Sequence, residues 1–339
     1  MRRVEVTGVE QIRLMDVDVP RPAVGELLVR TRSVGICGSD LHAFAGTHPF
    51  IDLPYCPGHE VVGTVVTVPD GSVFKRGERV LVEPNLVCFS CRACRAGRIN
   101  LCEKMRFFGA QTPGAMADYF VIAGDRVRAV PDGFSDAAAA LVEPLATAVH
   151  AGRLAGALDG RRVVVLGAGS IGLLTMLVAR SSGAADIVVT DLLPTKRDRA
   201  VRLGADRAVA ADDPTAVQII RDRFGGAADV VFDCVSSQRS ISQAIELGVR
   251  GGRVIVVGIA QGNVSVPLDL IQDREVALTG CAMYVGDDFR DSVALIEAGI
   301  VPVDELVTAT FDLNDAARAF ALARQGEQVK VHLTVASPV

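Results

Sequence analysis

Two rhythms of apolar residues divide the chain. Over the first 130 residues the apolar positions fall in short runs, "ELLVRTRSV", "VVGTVVTV", "RVLVEP" and "ADYFVIA", each punctuated by Gly, Pro or Asp. Such runs predict an all-β unit of short strands. From Arg161 the rhythm changes: "RRVVVLGAGSIGLLTMLVARSSGAADIVVTD" reads as strand, helix and strand. The alternation continues through "ADRAVA", "AVQIIRDRF", "DVVFDC", residues 238–249 and "GRVIVVG". That spacing predicts a parallel, doubly wound sheet, so the fold class is α/β. After about residue 285, "DDFRDSVALIEAGI" and "NDAARAFALARQ" have the period of amphipathic helices, with "LVTATFDL" between them.

Length and charge narrow the function. The chain has 339 residues, enough for about two domains with real cores. Asp and Glu outnumber Lys and Arg, 40 to 35, for a net charge of -5. A nucleic-acid binder needs a basic face to neutralise phosphates, so a small-molecule partner is expected instead. The run Val163 to Ala179 is free of charge and approaches membrane-spanning length, but "GAGSIG" breaks it into strand, turn and helix. No membrane partner is expected. The stretch "MRRVEVTGVEQIRLMDVDVP" lacks the unbroken apolar core of a signal peptide, which makes a cytoplasmic location the expectation. In a reducing compartment clustered cysteines serve as metal ligands more often than as disulfides.

Gly167, Gly169 and Gly172 form G-x-G-x-x-G after the strand "RVVVL" and before an apolar helix, the context of a dinucleotide site. The first glycine permits the tight turn, the second lets the backbone approach a pyrophosphate, and the third lets helix and strand pack closely. Ser170 and Ile171 complete the turn at the helix N-terminus that faces the phosphates. Asp191 ends the next strand, where a carboxylate accepts hydrogen bonds from an adenosine ribose and repels a 2'-phosphate. NAD is thus favoured over NADP, with Lys196 and Arg197 close enough to soften that preference. Gly258, closing "GRVIVVG", is a further candidate contact.

Cys88, Cys91, Cys94 and Cys102 lie in "CFSCRACRAGRINLC" with spacing C-x2-C-x2-C-x7-C. Four thiolates on one zinc make a closed tetrahedral site that holds a loop together and leaves no position for substrate. The rival, an iron–sulfur cluster, uses three residues before a final Cys-Pro, whereas seven residues precede Cys102 and no proline follows it. Catalysis needs an open metal. Cys37 in "GICGSDLH" offers a thiolate, His59 in "GHE" an imidazole, and Glu143 in "LVEPLATAVHA" a carboxylate in apolar company that is costly to bury without a partner. Two negative ligands and one neutral one balance a divalent zinc.

"GICGSDLH", "GHEVVGTV", the four-cysteine lobe, "EPLATAVHA" and "GAGSIG" occur in the order and spacing of the zinc-containing medium-chain dehydrogenases, and the chain resembles that family over nearly its whole length. Glutamate as third ligand resembles the sorbitol (polyol) dehydrogenase branch. The resemblance implies a GroES-like β-rich catalytic domain, residues 1–145 completed by 288–339, and a Rossmann NAD-binding domain, residues 146–287. It also implies that Ser39 and His42 form a proton relay, that Asp40 backs His59, and that Glu60 is an alternate or outer metal ligand. Two zinc ions per chain, one catalytic and one structural, and a homo-oligomer, dimer or tetramer, belong to the same expectation.

The implied reaction is hydride transfer from a secondary alcohol of a small polyol, sugar or sugar acid to NAD, with the alcohol proton leaving through Ser39 and His42. Many polyol dehydrogenases carry an arginine in the segment matching "GCAMYVG", where this chain has Met283 and Tyr284. Sorbitol itself is therefore not assumed, and a threonine-type amino alcohol stays open. A zinc-free quinone reductase would lack Cys37, His59 and the lobe. A noncatalytic interaction module would expose a basic lobe, and Arg92, Arg95 and Arg98 do lie there. The stretch "FAGTHPFIDLPY" is expected to line the pocket. His48 within it, and His150 elsewhere, belong to no motif, and Cys56, Cys234 and Cys281 read as inert thiols.

Overall fold

The computed structural model describes residues 1–335, and the chain divides into two compact units. Met1–Glu143 joins the residues from Pro302 onward, while Pro144–Val301 forms the second unit.

In the second unit six parallel strands lie in the order Arg207–Ala210, Asp186–Asp191, Arg162–Leu166, Ala228–Asp233, Gly248–Val256, Ala277–Gly280. Numbered along the chain this is 3-2-1-4-5-6, the order of a dinucleotide-binding sheet, whose ligand crevice lies beyond the carboxyl ends of the strands where the order reverses. The central strand "RVVVL" is buried from Val163 to Leu166 with no alternation, because helices cover both faces. Val164, Leu166, Val188, Val231 and Val254 pack with Ile241 and Ile245 of helix Gln238–Leu247 into one core.

In the first unit the sheet is mostly antiparallel. Strand Glu26–Gly35 pairs with Glu60–Thr67, with Tyr119–Ala123 and with Lys330–Thr334, and the sheet continues through Arg79–Val82 to Val127–Ala129. Burial alternates along Glu26–Ser33, as expected of a strand with one face on a core. That core gathers Val4, Leu27, Val29, Val61, Val80, Phe108 and Phe120 with Phe320 and Leu333 from the returning segment.

Residues 288–301, expected with the β-rich domain, pack with the nucleotide unit instead. Helix Gly286–Glu297 is anchored there by Asp288, whose fully buried carboxylate accepts hydrogen bonds from His150 Nδ1 (2.8 Å), Arg153 Nε (2.7 Å) and the Val285 amide (2.9 Å). The first 130 residues also hold short helices, including Gly38–Phe44, so the unit is β-rich rather than all-β.

Candidate functional site

Cys37 caps the short helix Gly38–Phe44, and its amide donates to Asp40 Oδ2 at 3.0 Å. That reach-back bond fixes the turn and sets the thiol at its start. His59 follows Gly58, whose φ of +107° and close approach to the Met116 amide leave no room for a Cβ. The His59 ring is buried, bonded to the Cys37 side chain, and stands edge-on to Phe107 at 5.0 Å. Cys37, His59 and Glu60 bring one donor atom each to within 4.8 Å of one another. His59 Nδ1 and Glu60 Oε2 are both buried without a hydrogen-bond partner. Unpartnered buried polar atoms are costly, so this donor set fits a cation. Burial opposes the charged imidazole, yet the Cys37 bond and the charges of Asp40, Cys37 and Glu143 push the His59 pKa up to about 10, which shows how much negative charge converges there.

Glu60 is wholly buried and paired with Lys330 Nζ at 2.5 Å, itself 1% exposed. Burial raises the Glu60 pKa, but Lys330 and then His59 more than offset it and hold the carboxylate below its ordinary range. Gly35, opposite Glu60 in the sheet, makes room: a Cβ there would lie 2.1 Å from Glu60 Oε2. Glu143 is buried on helix Asp136–Ala155 and acts electrostatically on both His59 and Lys330. Its carboxylate lies outside the 4.8 Å group, where Glu60 stands instead.

Asp40 is fully buried, and burial raises its pKa against the opposing effects of His59 and the Cys37 amide. The hydroxyl of buried Tyr55 donates to its Oδ1 at 3.2 Å. Asp40 is near enough to act on the His59 charge, while its carboxylate accepts hydrogen bonds from the Cys37 amide and the Tyr55 hydroxyl. Ser39 and His42 are half-buried one helical turn apart on Gly38–Phe44, and burial lowers the His42 pKa.

The sulfurs of Cys88, Cys91, Cys94 and Cys102 all lie within 4.8 Å of one another, with Cys88 and Cys102 at 3.5 Å. A tetrahedron of Zn–S bonds of about 2.3 Å has edges near ~3.8 Å, so the set fits zinc. The amides of Cys88, Cys91, Cys94 and Lys104 point at three of these sulfurs at 3.4–3.5 Å. Hydrogen bonds from Ser90 and Cys91 bring the Cys88 thiol down to about 5, while burial and the neighbouring sulfurs push Cys94 up to about 12. The Arg126 guanidinium lies 4.9 Å over the Phe89 ring, tying the lobe to strand Val127–Ala129.

In the second unit Gly167 has φ +96° and Gly172 has the Gly167 carbonyl oxygen 1.8 Å from where its Cβ would be. No atom lies within 4 Å of the Cβ position of Gly169, so the middle of the turn stays open to a ligand at the N-terminus of helix Ser170–Ser181, beside Ile171. Asp191 Oδ2 accepts from the Ala168 amide (2.8 Å) and Oδ1 from the Leu193 amide (3.0 Å), which fixes the carboxylate over this turn. Arg197 is committed to the carbonyl oxygens of Asp191 and Leu192 (2.9 and 2.8 Å), and Lys196 is half-buried on helix Pro194–Arg202. Gly258 sits against the backbone of Cys234 and Val235, with no space for a side chain. Burial raises the thiols of Cys56, Cys234 and Cys281, the last to about 12, so they are protonated at neutral pH.

The pattern missed Lys330, His332, Tyr55 and Phe107. "QVKVHLT" did carry a signal: alternation puts Lys330 and His332 on one strand face, and both are buried.

One unit carries a cation centre rich in negative donors and the other a pyrophosphate cradle, the two parts that define the class of metal-assisted dehydrogenases. Comparison with known proteins gives the family. The alcohol dehydrogenase GroES-like domain matches residues 23–132, and the zinc-binding dehydrogenase domain matches residues 170–298. Sorbitol dehydrogenase of Bombyx mori is 34% identical over 337 residues, covering 97% of each chain. L-galactonate-5-dehydrogenase of Escherichia coli K12 is 32% identical over 89% of each. An alcohol dehydrogenase of Escherichia coli CFT073, solved with NADH, superposes with a TM-score of 0.92 at 25% identity, over 98% of this chain and 99% of the other. The chain belongs to the zinc-containing medium-chain dehydrogenases, in the polyol dehydrogenase branch, and is an oxidoreductase that uses NAD and zinc. Among the described residues no helix is long and apolar enough to cross a membrane.

Proposed function

We propose that the enzyme oxidises a secondary alcohol of a small polyol, sugar or sugar acid with NAD, and reduces the ketone in reverse. The cluster of Cys37, His59 and Glu60, with two buried donor atoms left unpartnered, carries this reading. The names of the two curated relatives, a sorbitol and an L-galactonate dehydrogenase, support the substrate class.

Cys37, His59 and Glu143 would hold the catalytic zinc, with Glu60, restrained by Lys330, as the alternate ligand. A zinc held there would supply acidity to the substrate hydroxyl, and bound NAD would supply the hydride acceptor. Ser39 receives the hydroxyl proton and His42, one turn further on, passes it to solvent. Asp40 keeps the turn that carries Cys37 in shape through the Cys37 amide, and Tyr55 holds Asp40. Cys88, Cys91, Cys94 and Cys102 would hold a second zinc that stabilises the loop. Strand Ala277–Gly280 is a largely exposed sheet edge, which supports assembly with a second copy. A cytoplasmic setting suits a lobe whose thiolates must stay reduced.

The test is a panel of polyols, sugar acids and amino alcohols read by absorbance of reduced nicotinamide, alongside zinc content. About two zinc ions per chain and turnover of a polyol, sugar or sugar acid are expected. Glu143→Ala abolishes turnover and loses one zinc with the fold intact, whereas Cys94→Ser loses thermal stability first. Turnover confined to amino alcohols, or a folded Cys94→Ser protein that keeps one zinc and has no activity, overturns the reading.

A further inference from the structure

His48 belongs to no sequence motif, yet a chain of contacts leads from it to the metal centre. The Phe107 ring stands edge-on to His59 at 5.0 Å. The Phe107 amide donates to Gln111 Oε1 (2.9 Å), and Gln111 Nε2 donates to the Phe50 carbonyl (2.7 Å). The Phe50 amide donates to His48 Nδ1 (3.1 Å), and the two rings meet edge to face at 6.1 Å. On the other side of His48, Thr47 donates through both its amide (2.9 Å) and its hydroxyl (3.3 Å) to the His42 carbonyl. Thus His48 is held between the backbone of His42 and the loop whose Phe107 ring faces His59. Burial and then the charges of His42 and His59 lower its pKa, in keeping with that nearness and with a neutral ring at working pH.

The tautomer follows from the geometry. With Nδ1 accepting from the Phe50 amide, the neutral ring carries its hydrogen on Nε2 and acts there only as a donor. Nε2 has no partner among the described residues, and the ring is half-buried rather than sunk in the core. A fixed, unused donor beside a catalytic centre fits an oxygen of the substrate. We propose that His48 is a specificity-determining residue, whose Nε2–H donates to a substrate oxygen other than the reacting one. A polyhydroxylated substrate supplies such an oxygen and a simple secondary alcohol does not. This assignment rests on the polyol reading.

The experiment removes the oxygen from the substrate and the donor from the protein in turn. kcat/KM is measured for xylitol and for 2-pentanol in the unmodified enzyme, His48→Leu and His48→Gln, with zinc content and melting temperature as checks on the fold. The ratio of xylitol to 2-pentanol falls about five- to tenfold in His48→Leu, the worth of one hydrogen bond, chiefly through KM for xylitol. His48→Gln, which keeps an N–H donor, recovers most of the ratio. Should the leucine variant lose zinc, His48→Ala carries the same comparison. An unmodified enzyme that prefers xylitol, with the preference intact in His48→Leu or equal in the leucine and glutamine variants, overturns this assignment alone. An unmodified enzyme that turns over 2-pentanol but no polyol, sugar or sugar acid overturns the polyol reading and this assignment together.

Discussion

Replacing Lys330 by methionine should be among the most damaging single changes in the β-rich unit. Its ammonium lies 2.5 Å from Glu60 Oε1, with the two side chains 1% and 0% exposed. Methionine fills similar volume but leaves the carboxylate buried and unpaired, which costs about 3–5 kcal/mol. At roughly 2–4 °C per kcal/mol for a unit of this size, the melting temperature of the metal-free protein drops on the order of 10 °C. Metal-free protein is the right sample, since a bound cation would compensate the carboxylate. Far-UV circular dichroism serves as the probe because the chain has no Trp. The Glu60 pKa lies below 4.5 in the folded protein, so the stability it contributes is complete above about 4.5 and is lost as pH falls through the folded value. The double change Lys330→Met with Glu60→Gln removes both charges and recovers most of the loss. A single variant within about 0.5 kcal/mol of the unmodified protein, or a double variant as unstable as the single, refutes the argument.

Asp191→Ala should narrow the preference for NAD over NADP in kcat/KM about tenfold, since it deletes the ribose acceptor and the repulsion of a 2'-phosphate. Equal kcat/KM for the two cofactors in the unmodified enzyme would falsify the carboxylate argument. His332 is buried, with Nδ1 on Ser33 Oγ at 3.2 Å and Nε2 unpartnered, and burial, aided by Lys330, brings its pKa down to about 4. The unfolded chain binds the proton near 6.5 and the folded one does not, so stability falls as pH drops from 6.5 and the loss is complete near 4, at about 3 kcal/mol. In His332→Gln that slope should vanish from urea titrations taken across this range; a slope that persists assigns the effect to another group.

What the sequence disclosed and what it hid differ by how local the cause is. The glycine turn, the short helix that carries Ser39 and His42, and the four-cysteine lobe each lie within a few consecutive residues, where spacing and turn chemistry decide the geometry. Gly172 is an example, since the Gly167 carbonyl that excludes its Cβ is five residues away. Lys330 was invisible for the opposite reason. It meets Glu60 only because strand Lys330–Thr334 pairs with the end of Glu26–Gly35, a long-range register that no local pattern encodes. The resemblance offers Glu60 as an alternate or outer metal ligand, but no local pattern announces the Lys330 ammonium that holds it. Helix Gly286–Glu297 is a similar case, since Asp288 takes its hydrogen bond from His150, 138 residues earlier.

The return of the chain to its first sheet also orders its biosynthesis. Residues 144–301 form an uninterrupted unit that can collapse as soon as it leaves the ribosome. The β-rich unit emerges earlier but must wait, with the Glu60 carboxylate lacking its ammonium partner until Lys330 is made. At 5–20 residues per second, the nearly 190 residues separating Glu143 from Lys330 impose a delay of roughly 10–40 s. During that interval the nascent strand Glu26–Gly35 lacks its partner Lys330–Thr334, an unpaired edge of the kind that chaperones protect. Residues 144–301 are therefore all synthesised before the first sheet has its full set of strands, and the Glu60–Lys330 pair is among the last contacts the chain can make.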